Sequence, residues 1–137
     1  MSVASDAVAV RRGPLVVAGG VLAAIVAASV ADAVLALLAL AAGAPDDFRP
    51  LKASSYIFLT AVGVVAGAVG WVIVRKVSKD PEALVRWLVP AVVVVSFVPD
   101  FLLFGDGGAI GVMALLLMHV SVAAVAVFAY RKVMPLS

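Results

Sequence analysis

An all-α integral membrane fold, an antiparallel four-helix bundle with both termini cytoplasmic, is predicted by three features of this sequence. Long apolar blocks alternate with short polar loops. Apolar residues make up 66% of the chain and charged ones 13%, against roughly 45–50% and about 25% in globular domains. Lys and Arg gather in alternate loops. At 137 residues the chain would ordinarily be one small domain, but no water-soluble fold of that size hides so much apolar surface. Lipid is the solvent this composition requires. The net charge of +2 is too small and scattered for a nucleic-acid partner. With no cysteine, disulfides, thiolate metal sites and cysteine nucleophiles are excluded.

The elements follow in order. Residues 1–13 form a polar cytoplasmic tail that includes Arg11 and Arg12. The first span, 14–44, opens on Pro14, whose missing N–H has no partner to lose in a first helical turn. Two arginines before an apolar run resemble a signal peptide, yet the run far exceeds the roughly 7–15 residues of such a segment, so it is read as a retained span. It also exceeds the roughly 20 residues that cross hydrocarbon, so tilt or protrusion is expected. Gly43 and Pro45 end it, and Asp46, Asp47 and Arg49 belong to a solvated loop. The second span, 55–74, carries Gly63 and Gly67, a spacing that admits a close backbone neighbour. Packing within one chain is its ordinary use, and a homo-oligomer through Gly63 and Gly67 the sharper one. The third span, 84–104, follows a loop in which Pro81 begins the helix. A tight turn at Gly105-Asp106-Gly107-Gly108 leads to the fourth, 109–130, and a short cytoplasmic tail, 133–137, closes the domain of 14–132. Short connections make successive helices antiparallel neighbours.

Orientation follows from the basic residues. Arg11, Arg12, Arg75, Lys76, Lys79, Arg86, Arg131 and Lys132 fall on one side, and Arg49 and Lys52 on the other. The basic side is cytoplasmic by the positive-inside bias, which gives a multi-pass protein of a plasma membrane.

Ionisable residues inside spans each cost roughly 2.5–3.5 kcal/mol on insertion scales. This chain has three, Asp32, Asp100 and His119. At about 1.5 Å per residue, Asp32 and His119 lie about 16 Å below the outer face, and Asp100 about 7–8 Å below it. Ser96 sits one turn deeper than Asp100, Ser29 one turn from Asp32, and Thr60 near the level of Asp100. All would be costly against lipid, so an inward crevice open to the outer side is expected, floored by Asp32 and His119 and rimmed by Asp100. Gly108 and Gly111 leave space above His119. Pro99 gives no N–H to the carbonyl of Val95, which frees an acceptor beside Ser96. Asp32, Thr60, Ser96, Asp100 and His119 are therefore the candidate ligand-binding residues. Each has an ordinary alternative: a lone histidine packs, Asp32 caps or hydrogen-bonds locally, Asp100 caps near an interface, and the hydroxyls bond to backbone carbonyls.

No metal site is expected, since a second histidine and recognised ligand spacing are missing. No cofactor is expected either: His119 with Met118 or Met113 cannot clamp one haem iron from a single helix. Phosphate loop, nucleophile elbow and HExxH are all absent. No catalytic residue is assigned.

Ser96-Phe97-Val98-Pro99-Asp100, followed in the next span by Leu117-Met118-His119, resembles a family of small bacterial four-span membrane proteins known as a domain of unknown function. Asp47-Phe48-Arg49-Pro50-Leu51 and the Gly63–Gly70 segment are similar to it as well, and the resemblance covers residues 14–130. It implies a four-helix membrane bundle with Ser96, Pro99, Asp100 and His119 at characteristic positions. Many members of that family carry an amide where Asp32 stands, which puts a catalytic role for Asp32 in doubt. It implies no activity. Three functions fit the residues: binding or carrying a small molecule, cation or proton in the crevice; a structural or accessory membrane subunit; and a membrane-embedded acid–base enzyme acting on a lipid-soluble substrate.

Overall fold

The computed structural model describes residues 13–136. The expected tail carrying Arg11 and Arg12 lies outside the described residues, as does Ser137. Four helices fill the rest: α1 Pro14–Ala41, α2 Ala53–Val77, α3 Pro81–Leu102 and α4 Phe104–Val133, with a short 3-10 turn Arg49–Leu51 before α2. No strand occurs among the described residues. Each of the four is long and apolar enough to cross a membrane, and their large side chains are mostly exposed, as helices facing lipid require.

Helix α1 makes its main contact with α4 through a stripe of small residues. Ala24, Ala28, Asp32 and Ala36 recur every fourth position and are all buried, which puts them on one face. Gly20 extends the stripe: a Cβ there would stand 2.5 Å from Val133 Cγ1. Without a hydrophobic drive between helices in lipid, such close backbone approach supplies the packing.

The remaining helices depart from simple succession. Helix α2 leans on α1 and α3 on α4, whereas the consecutive pair α2 and α3 scarcely touch. Helix α3 is held near its two ends, at Val85 and Asp100, its only buried residues. Between them it stands away from α2. Two apolar clusters result. One gathers Val64, Trp71, Val85, Ala126, Tyr130 and Met134; the other gathers Ala36, Phe48, Leu51, Ala114, Leu115 and Met118.

The end of α1 and the start of α3 obey local rules. After α1, Gly43 takes φ 111°, and the N–H groups of Gly43 and Ala44 return to the carbonyls of Leu40 and Ala39 at 3.2 and 2.9 Å. That paired closure is the Schellman motif, which glycine favours. At the start of α3, Asp80 Oδ1 accepts from the N–H of Ala83 at 3.1 Å, with Pro81 in the first turn. The expected tight turn over Gly105–Gly108 is not formed. The chain reverses at Leu103 instead, because the N–H groups of Asp106 and Gly107 both bond to its carbonyl at 3.0 and 2.9 Å and wind one helical turn. Gly108, at φ 66° and ψ −174°, then kinks α4 before its long run.

Candidate functional site

The space left between α2 and α3 is a cleft of about 780 Å³, floored by α4 and reached from behind by Asp32 of α1. It falls in the range of small-molecule sites, roughly 300–1,000 Å³. Asp32, Thr60, Ser96, Asp100 and His119 all line it. Four different helices thus bring their polar groups to one space, as the cost of exposing them to lipid requires.

Four of them form two pairs. The Thr60 hydroxyl donates to Asp32 Oδ2 at 2.6 Å. Asp32 is 1% exposed, and its other oxygen, Oδ1, has no hydrogen-bond partner. In the second pair, His119 Nδ1 lies 2.8 Å from the carbonyl oxygen of Leu115, one turn back, and 2.8 Å from Asp100 Oδ2. A carbonyl only accepts, so a proton sits on Nδ1. That one proton faces two acceptors at the same 2.8 Å, the Leu115 carbonyl and Asp100 Oδ2, and cannot fully satisfy both. Asp100 Oδ2 stays a buried acceptor short of a donor. The ring of Phe97 meets His119 edge-on, with centroids 6.2 Å apart.

Ser96 differs from its expected role. Its hydroxyl donates to the carbonyl of Val93 at 2.5 Å, not to the Val95 carbonyl that Pro99 frees. The space expected above His119 is also filled. Phe48, from the α1–α2 loop, is buried against Gly107 and Gly111, where a Cβ would lie 2.5 and 2.9 Å from its ring. The crevice therefore does not open simply at that face. It runs along the bundle from Pro50 and Leu103 at one end to Tyr130 at the other, and gapes between α2 and α3.

The far end is closed by aromatic residues whose polar groups are already engaged. Tyr130 donates its hydroxyl to the carbonyl of Val64, and Trp71 donates Nε1–H to the carbonyl of Met134 at 2.8 Å. Their rings lie 5.4 Å apart at 51°. Arg131 stacks 5.8 Å over Trp71 and grips Glu82 of α3 through two hydrogen bonds of 2.9 and 2.8 Å. Gly63 and Gly67 both line the cleft. Gly67 is occupied within its own chain, since a Cβ there would stand 2.7 Å from Tyr130 Oη, whereas Gly63 faces open space.

The family of unknown function DUF6069 matches residues 9–135. The chain belongs to that family. No curated protein and no solved structure matches it. Within this DUF6069 chain, the two segments that carried the sequence resemblance, around Ser96–Asp100 and at Leu117–His119, meet through the Asp100–His119 contact. Among the described residues no three His, Asp or Glu side chains converge as metal ligands do. The sequence reading missed Trp71 and Tyr130 as walls of the cleft and Phe48 as the wedge over Gly107 and Gly111. The available signal for Tyr130 was a phenol facing a glycine-rich helix, visible only once α2 and α4 are paired.

Proposed function

We propose that this DUF6069 protein is a multi-pass protein of the bacterial plasma membrane, with both termini and the α2–α3 loop cytoplasmic, that holds a small molecule in the cleft between α2, α3 and α4. One observation carries the reading: both acid-bearing pairs border a single open space of about 780 Å³. Polar groups used only to fasten helices, as in an accessory subunit, are normally closed upon each other without such a void. The cleft is bounded by one chain, so binding needs no second copy. Carriage across the membrane would need an exit past Trp71 and Tyr130, where the structure supplies a plug.

The Asp100–His119 pair beside an apolar cavity also favours a second reading, an acid–base enzyme for a lipid-soluble substrate. Deleting the gene and finding an altered lipid or isoprenoid profile supports that reading; an unchanged profile removes it.

Native mass spectrometry of the protein released from its own membrane tests the binding reading. Gly63→Leu fills the cleft from a position that meets nothing within 4 Å. The expected result is a non-covalent adduct on the wild type that is lost in Gly63→Leu. An adduct that persists unchanged in the filled variant, or none on either, sinks the binding reading.

A further inference from the structure

The hydrogen-bond state of the cleft specifies what its occupant must supply. Three donors along its polar half are engaged: the Thr60 hydroxyl on Asp32, the Ser96 hydroxyl on Val93, and the His119 Nδ1 proton on Leu115. Beside the Tyr56 hydroxyl, what remain are acceptors, Asp32 Oδ1 and Asp100 Oδ2, both buried and both short of a donor. Asp32 is 1% and Asp100 6% exposed, and the surface each keeps borders the cleft, so what enters the cleft is placed to meet them. A buried acceptor left unmet is costly, and a buried carboxylate more so unless a cation joins it.

The charge balance points the same way. No Lys or Arg lines the cleft. Of its ionisable side chains, two are carboxyl groups and one is the imidazole of His119; Tyr56 and Tyr130 complete the set. Even a protonated His119 neutralises only one carboxylate. An anionic head group would meet two acids and no fixed cation. An alcohol would bring one donor for two deficient oxygens. A protonated amine brings a positive charge and two or three donors.

The rest of the lining fixes the body of the ligand. From Gly63 toward Tyr130 the wall is apolar, with Val85, Val89, Val122 and Ala126 among its residues. The two polar atoms at that end, Trp71 Nε1 and Tyr130 Oη, are engaged with backbone carbonyls. That end offers only ring faces and hydrocarbon. Along α2 it extends about 16 Å from Thr60 to Trp71 at about 1.5 Å per residue.

We propose that the cleft binds hydrophobic amines, with the ammonium head at Asp32 and Asp100 and an alkyl or ring body lying along α2 toward Trp71. The proposal rests on the cleft being a binding site, and narrows it to one chemical class.

Quenching of Trp71 by bromine-tipped alkyl chains tests it. The full-length protein in phosphatidylcholine nanodiscs carries Trp87→Phe, so that Trp71 is the only indole; Trp87 is 78% exposed and lies outside the cleft lining. Three probes share one twelve-carbon chain and differ in the head: 12-bromododecylamine, 12-bromododecanol and 12-bromododecanoic acid. Quenching is compared at equal probe concentration in the bilayer, with Asp32→Asn measured alongside. The expected result is half-quenching by the amine at a concentration at least tenfold below that of the alcohol or the acid, and loss of that preference in Asp32→Asn while the alcohol is unaffected. Equal quenching by amine and alcohol, or preference for the acid, overturns the amine assignment and leaves the binding reading standing. Failure of all three to quench beyond a Gly63→Leu control overturns both. Because the wild-type comparison of three heads decides the class by itself, a poorly folded Asp32→Asn does not obscure the outcome.

Discussion

Asp32 shows what a carboxyl group in a membrane helix demands of its neighbours. It sits in the middle of an alanine stripe, so it faces α4 and the cleft instead of lipid. Only Thr60 donates to it among the described residues. Thr60→Val keeps the shape and removes that donor. Interhelical hydrogen bonds in membranes average about 0.6 kcal/mol and reach about 1.7; with a buried acid left behind, the loss should fall at the upper end. Unfolding in mixed micelles is expected to show a loss of about 1–2 kcal/mol for Thr60→Val and little change for Thr60→Ser. An unchanged Thr60→Val would mean that Asp32 does not depend on this bond. The partnership was only half legible in the sequence. Depth counting put Thr60 level with Asp100, but the choice between two acids rests on which helices touch, and α2 leans on α1 far more than on α3.

At the scale of elements, α2 and α4 are joined by a fit between a glycine and a phenol. Tyr130 reaches the carbonyl of Val64 across the bare backbone of Gly67. Gly67→Ala would put a methyl group 2.7 Å from the hydroxyl oxygen but 3.5 Å from the ring carbons, an ordinary contact distance. The substitution should therefore cost on the order of 1–3 kcal/mol in the native chain, the usual range for overpacking. In a Tyr130→Phe background it should cost almost nothing. A double-mutant cycle on unfolding free energies reads the difference, and strict additivity would contradict the fit. Helix-level features divide in the same way between legible and hidden. Pro14 and Pro81 at helix starts and Gly43 at a helix end were readable, because caps are local. The turn near Gly105 was not, since four candidate residues left the corner open and the carbonyl of Leu103 settled it. Nor was the Phe48 wedge: its two glycine neighbours lie far along the chain, and nothing in the loop announces them.

Over the whole molecule, the proposed topology rests on where the basic residues fall along the chain. The chain has no cysteine, so single cysteines report accessibility on a clean background. Ser78→Cys, between α2 and α3, is expected to resist a membrane-impermeant maleimide in intact cells and to react after permeabilisation. Asp47→Cys, between α1 and α2, should react without it. The opposite pattern would invert the proposed topology. Fold class was legible from composition and block length because lipid leaves so few architectures open. The gap between α2 and α3 was not, because it arises from where α3 is pinned, at Val85 and Asp100, and from contacts that hydropathy does not encode.

That gap has a consequence for any dose–response experiment. On the proposed binding, a guest entering between two helices in the plane of the bilayer would arrive from oil, so occupancy would follow its concentration among the acyl chains, not in the buffer. Adding empty vesicles should draw such a compound away and weaken its apparent potency, even though the protein itself is unchanged. Under that proposal, potencies for this chain acquire meaning only when the amount of lipid is stated with them.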